Sequence, residues 1–115
     1  MDNTMTAYSE KLDAVLQNVD TNLDASVSRL FEILRIPSIS TQPSHAADCR
    51  KAANWMQREL EQLGMKADVR DVQWSVPGHP MVVGHDQRSA ADDSLPHVLF
   101  YGHYDVQPTD PESLW

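Results

Sequence analysis

The sequence predicts an α/β fold in which helices pack on a mixed β-sheet. Three observations support this prediction. Apolar residues recur at helical spacing through the first third of the chain and again before Gly64. Two short strand-like segments flank the turn signal formed by Pro77 and Gly78. The unbroken apolar run at residues 98–101, VLFY, is typical of a strand that is buried on both faces.

Two amphipathic helices are predicted before residue 36. Each carries its apolar residues on one helical face: Tyr8, Leu12, Val15, Leu16 and Val19 in the first, and Leu23, Val27, Leu30, Phe31 and Leu34 in the second. The segment 20–22, DTN, separates them, because these residue types favour helix caps. The second helix ends before Pro37, since a residue that precedes proline is disfavoured in the helical conformation. A serine-rich connection at residues 37–43 follows.

A third helix is predicted from about His45 to Leu63, with Ser44 as its N-cap and Gly64 as a left-handed stop. Its apolar stripe includes Cys49, which we assign to the core and not to a nucleophile, because no sequence feature indicates a lowered thiol pKa. Cys49 is the only cysteine in the sequence, so no internal disulfide can form. This cysteine usage indicates a reducing compartment, and we expect a cytoplasmic protein.

Two strands are predicted next, at residues 65–74 and 81–83, paired antiparallel as a hairpin. The alternation of apolar side chains changes phase near Arg70 and Asp71, which predicts a bulge or a change of buried face. The polar segment 86–96 is expected to be an exposed loop. Its acidic pair, Asp92 and Asp93, is interpreted as solvated, because no histidine stands at ligand spacing.

Composition and charge exclude several classes of protein. With 115 residues, the chain is long enough for one small domain. Its net charge of -8 argues against binding to nucleic-acid phosphates. The longest apolar stretch is the length of a strand, too short to span a bilayer, so no membrane partner is expected. These bounds leave a small-molecule substrate or a protein partner.

A histidine and an aspartate follow the apolar run, with one residue between them. Gly102 ends the run, and in an extended chain side chains two positions apart lie on the same side. His103 and Asp105 are therefore predicted to leave the end of the strand together. Open α/β sheets place their chemistry at the carboxyl ends of strands. The alternative is a surface or core histidine without a catalytic role.

The longer string GHYDVQP at residues 102–108, preceded by the apolar run and followed by DPESLW at 110–115, resembles the first metal-site motif of one enzyme family. This is the family of co-catalytic zinc metallopeptidases, which includes carnosine-type dipeptidases, carboxypeptidase G, aminoacylase, and the deacylases of acetylornithine and succinyl-diaminopimelate. The tyrosine between histidine and aspartate, the QP pair and the closing LW look closest to the dipeptidase branch. The segment IPSIS at 36–40 resembles a phrase found in the same family.

The resemblance implies a fold and two site roles. Residues 1–115 would be the N-terminal portion of a longer catalytic domain of the zinc-exopeptidase type. His103 would ligate one of two Zn²⁺ ions per subunit, with Mn²⁺ or Co²⁺ as alternatives. Asp105 would accept a hydrogen bond from the other ring nitrogen of that ligand. The bridging aspartate, the Glu-Glu pair and the other ligands of the family match nothing in this sequence. We therefore expect this chain alone to be inactive and to bind zinc weakly.

The resemblance also implies an activity for the full-length enzyme, which is the hydrolysis of dipeptides or similar small amides by a metal-activated water. Two alternatives stay open. One is a deacylase that acts on N-acyl amino acids with the same fold. The other is a non-catalytic α/β module that binds a partner through its acidic surface. Family members often dimerise through a separate lid domain, so a homodimer is a further expectation.

Overall fold

A computed structural model describes residues 3–73, 75, 77–88 and 94–114, without the side chains of residues 3–7 and 112. The described chain forms three α-helices, two β-strands and two short 3-10 turns: α1 (Asn3–Thr21), α2 (Leu23–Leu34), a turn at Pro43–His45, α3 (Ala46–Gln62), β1 (Lys66–Arg70), β2 (Met81–His85) and a turn at Glu112–Leu114. The chain divides into two compact units between Arg35 and Ile36. Within the described residues, no helix combines the length and apolarity that crossing a membrane requires.

The first unit consists of α1 and α2, which confirms the two helices predicted there. Asn22 lies in the turn between them. Its side-chain amide donates hydrogen bonds to two oxygens of Asn18, the backbone oxygen at 2.8 Å and the side-chain oxygen at 2.9 Å. The apolar stripes of both helices are exposed. At the end of α2, the guanidinium of Arg35 lies 5.8 Å from the centre of the Phe31 ring, within the range of a cation–π interaction.

The second unit is built on α3, which packs against both strands of the hairpin. Cys49, Ala52 and Ala53 of α3 are fully buried, and Ala67 of β1 is buried with them. The prediction that Cys49 belongs to the core is confirmed. Its burial is the main cause that raises the pKa of the Cys49 thiol, so the thiol stays protonated at neutral pH.

The start of α3 differs from the prediction, whereas its end agrees. Ser44 is not the N-cap, because Pro43 already begins a 3-10 turn that leads directly into the helix. Proline suits the first turn of a helix, where its missing N–H is not needed. At the other end, Gly64 has a φ of 82°, the left-handed conformation that was predicted for this glycine.

The antiparallel hairpin is confirmed, with Lys66 opposite His85 and Val69 opposite Val82. β1 ends at Arg70, where the change of phase was predicted, and an isolated antiparallel bridge joins Gln73 to Pro77 further on. The end of the predicted first strand at residue 74 lies outside the described residues, as does the acidic pair at 92–93.

The α/β class is confirmed, but the predicted strand at residues 98–101 is wrong. These four residues form no strand, and their exposure ranges from 71% to 92%. A strand buried on both faces needs neighbouring strands and covering helices. In the part of the chain that the structure describes, the only sheet is the antiparallel pair β1–β2, so the sheet is not mixed. The one parallel pairing there is an isolated bridge between Ile39 and Val106.

Candidate metal centre

The segment 103–106, which carries the histidine and aspartate, lies against residues 38–40, here called the serine loop. The hydroxyl of Ser38 donates a hydrogen bond to the backbone oxygen of Tyr104 at 2.8 Å. The backbone N–H of Val106 donates to the backbone oxygen of Ser38 at 3.0 Å. Only 1% of Ser38 is exposed. These reciprocal bonds fix the backbone on both sides of Asp105, although the two segments are far apart in sequence.

His103 and Asp105 lie together, as the two-residue spacing predicted. Nδ1 of His103 is 3.1 Å from Oδ1 of Asp105 and 3.1 Å from the backbone oxygen of the same residue. Both partners are acceptors, so in a neutral ring this geometry favours the tautomer with the proton on Nδ1 and the lone pair on Nε2. No described residue forms a hydrogen bond with Nε2, and the imidazole side chain is 75% exposed. The ring is therefore free to bind a ligand through Nε2.

Asp105 has a second partner that sequence reasoning missed. Its Oδ2 accepts a hydrogen bond from the hydroxyl of Ser40 at 2.6 Å. This bond is the largest of the causes that hold the pKa of Asp105 below its ordinary value, and the contact with His103 lowers it further, while partial burial acts in the opposite direction. Asp105 is thus a carboxylate at neutral pH, with one oxygen directed to each neighbour.

Two further contacts hold the surroundings of this pair in place. The Nε2–H of His79 donates to the backbone oxygen of Ser40 at 2.8 Å. The hydroxyl of Tyr104 donates to the backbone oxygen of Pro80. Burial is the main cause that raises the pKa of Tyr104, which keeps this hydroxyl protonated as a donor. Both contacts tie the motif and the serine loop to the segment that enters β2.

An open groove of about 760 Å³ runs beside the pair. Its lining is mostly apolar and comes from α3, β2 and the exposed run, and it includes Leu60, Val83 and Phe100. His103 and Asp105 also line it. An apolar groove with a few convergent polar groups is the usual form of a small-molecule site.

The residues present fit one part of a metal centre. His103 offers one imidazole nitrogen, and Asp105 supplies the carboxylate that commonly holds such a ligand in one tautomer. A zinc site takes three or four protein ligands. Among the residues that the structure describes, no group of three or more histidine, cysteine or acidic side chains could hold a metal ion. The remaining ligands would have to come from elsewhere.

Comparisons with known proteins find relatives over most of the chain. The Cys-Gly metallodipeptidase dug1 of Schizosaccharomyces pombe is 32% identical over 110 residues, which are 90% of this chain and 22% of the relative. The Cys-Gly metallodipeptidase DUG1 of Saccharomyces cerevisiae is 30% identical over 93% of this chain and 24% of its own length. The Beta-Ala-His dipeptidase of Rattus norvegicus is 29% identical over 94% of this chain and 23% of its own length.

The chain thus spans about a quarter or less of the length of these relatives. No family model matches the sequence. No solved structure matches it either. The resemblance to the dipeptidase branch, which rested mainly on residues 98–115 and more weakly on residues 36–40, is confirmed by relatives that align with nearly the whole chain.

Proposed function

We infer that this chain, a homologue of metallodipeptidases over most of its length, is one part of a metal-dependent dipeptidase. The observation that carries this proposal is the pairing of His103 Nδ1 with Asp105 Oδ1 at 3.1 Å, which leaves Nε2 exposed beside a groove. In this role His103 is a metal ligand and Asp105 is the group that orients it. The relatives' greater length supports a larger catalytic domain that supplies the other ligands.

In such an enzyme, a bound divalent metal supplies Lewis-acid polarisation of the scissile carbonyl and activation of a water. The residues of this chain contribute geometry. Asp105 would accept a hydrogen bond from His103 Nδ1–H, which leaves the lone pair on Nε2 available to a metal ion. The negative charge of Asp105 also makes the imidazole a better electron donor.

The proposed substrates are small dipeptides. The relatives' names specify Cys-Gly, β-Ala-His and, for a protein of Corynebacterium striatum, cysteinylglycine S-conjugates. These names favour peptide hydrolysis over the deacylation of N-acyl amino acids. They also favour an enzyme over a non-catalytic module. Zinc as the metal, two ions per subunit, a homodimer and a cytoplasmic location stay predictions.

The test uses the complete protein that contains this chain, purified with its metal. We expect it to hydrolyse Cys-Gly, and we expect His103→Ala to remove one metal ion per subunit and to lower activity by about 100-fold or more. Metal content is measured by elemental analysis and hydrolysis by the release of free glycine. His97→Ala is the matched control, because it also removes an exposed histidine, but one for which the structure describes no hydrogen bond to Asp105 or to any other residue. Full metal content and activity in His103→Ala would refute the proposed function.

A further inference from the structure

We propose that Ser40 is a positioning residue for the metal centre, which fixes the rotation of the Asp105 carboxylate so that Oδ1 faces His103. The inference rests on the proposed function for its catalytic meaning, because it assigns a role to a residue that acts through Asp105. Its structural content is separate, since it concerns three side chains whose contacts do not require a metal: Ser40, His103 and Asp105.

The first argument is the geometry of the carboxylate. Rotation about the terminal bond of an aspartate side chain is soft and roughly two-fold, so one hydrogen bond defines the plane of the group poorly. Asp105 is held at both oxygens, with Oδ1 at 3.1 Å from His103 Nδ1 and Oδ2 at 2.6 Å from the hydroxyl of Ser40. The Ser40 contact is the shorter of the two and is a charge-assisted hydrogen bond. It therefore sets the plane in which Oδ1 meets the imidazole.

The second argument is that Ser40 is itself held in position. Its backbone oxygen accepts a hydrogen bond from His79 at 2.8 Å. Two residues earlier, Ser38 is bonded to the motif through both its hydroxyl and its backbone oxygen. The serine loop is thus anchored on both sides, and the Ser40 hydroxyl is directed at Oδ2 by a fixed backbone. The hydroxyl of Thr41, the next residue, is exposed and forms no described hydrogen bond.

The consequence for His103 concerns the position of its ring proton. A neutral imidazole carries one proton on either Nδ1 or Nε2, and an anionic acceptor at Nδ1 favours the Nδ1–H tautomer. Only this tautomer leaves the lone pair on Nε2. If Ser40 no longer holds Oδ2, the carboxylate of Asp105 can rotate, which weakens the hydrogen bond from Nδ1–H to Oδ1 and leaves the backbone oxygen of Asp105, also at 3.1 Å, as the remaining acceptor. Ser40 thereby raises the fraction of His103 that carries its proton on Nδ1 and can bind a metal through Nε2.

The experiment measures this tautomer directly in the metal-free chain, by nitrogen NMR of the histidine rings at a pH where His103 is neutral. We expect the Nδ1–H form to predominate in the wild type. In Ser40→Ala the ratio of Nδ1–H to Nε2–H should fall by about three- to tenfold. Ser40→Thr keeps a hydroxyl and should restore the ratio. Thr41→Ala is the matched control and should leave the ratio unchanged.

Two results would overturn the inference. One is a wild-type His103 that is mainly the Nε2–H tautomer. The other is a Ser40→Ala ratio equal to that of Thr41→Ala, although Asp105→Asn changes it. If Ser40→Ala does not fold, Ser40→Cys gives the same comparison, because a thiol is only a weak donor. Failure of the proposed function is recognised separately, by full metal retention in His103→Ala of the complete protein.

Discussion

The lowered pKa of Asp105 links the hydrogen bonds of this one residue to the stability of the fold. Its carboxylate receives hydrogen bonds from Ser40 and His103, and both lower its pKa relative to an ordinary aspartate. An acid whose pKa is lower in the folded state stabilises the fold only while it is ionised. That contribution is fully present above the pKa of the unfolded chain and disappears as the pH falls through the lower, folded value.

We therefore predict that Asp105→Asn lowers the free energy of unfolding at neutral pH and that the difference from the wild type shrinks on acidification. The reason is that protonation removes from the wild type the same charge that the substitution removes. Denaturant unfolding at a series of pH values from neutral to acidic measures both chains. Asp13→Asn, which removes an exposed carboxylate of α1, is the control. If the loss in free energy of unfolding caused by Asp105→Asn does not change with pH, the charge of the Asp105 carboxylate is not its cause.

At this scale, the sequence predicts neighbours but not distant partners. The proximity of His103 and Asp105 could be predicted, because alternation along an extended chain places residues two apart on the same side. Ser40 precedes Asp105 by 65 positions, and no periodicity relates them. The motif at residues 36–40 resembled a family phrase, yet nothing in the pattern indicated which hydroxyl reaches the carboxylate. That contact depends on how the chain packs.

Among the elements, the junction between α3 and β1 depends on one backbone conformation. Gly64 has a φ of 82°, and a Cβ added there would meet no atom within 4 Å. We predict that Gly64→Ala destabilises the fold by about 1 kcal/mol, because a side chain raises the energy of the left-handed conformation. The shift in the midpoint of denaturant unfolding measures it.

Gly102→Ala is the control for this substitution, since Gly102 also lies in open space but has no positive φ. We expect its stability to equal that of the wild type or to exceed it slightly, because alanine restricts the unfolded chain. Equal losses of stability in the two variants would contradict the assignment of the effect to the left-handed conformation at Gly64.

Elements defined by local signals were predicted well. The stripes of α1 and α2, the stop at Gly64 and the β1–β2 hairpin each depend on a few nearby residues. The strand predicted at residues 98–101 failed for the opposite reason. Hydrophobicity shows that a segment favours burial, but a strand forms only where other strands pair with it. No such partner exists among the described residues.

For the whole molecule, the ligand count leads to a prediction about the 115-residue chain on its own. Its described residues include no cluster of three potential ligands. We predict that the purified chain binds Zn²⁺ only weakly and does not hydrolyse Cys-Gly, because one imidazole is far short of a complete zinc site. Titration calorimetry and a glycine-release assay measure the two properties. His103→Ala should reduce the remaining weak affinity.

Tight stoichiometric zinc binding by this chain, or measurable turnover of the dipeptide, would contradict that prediction. The complete protein provides the positive control in both assays. The two predictions can fail independently, since the expected inactivity of the chain follows from the ligand count among its described residues and the proposed activity follows from the chain's relatives.

The exposed apolar run at residues 98–101 also has a consequence for the behaviour of the protein at high concentration. Repulsion between molecules that each carry a net charge of -8 keeps them apart in dilute electrolyte. Added salt screens that repulsion over a shorter distance, so that the four adjacent apolar side chains of one molecule can associate with those of another. We therefore expect the chain to stay dispersed at low ionic strength, and association at high salt to involve this run together with the exposed apolar stripes of α1 and α2.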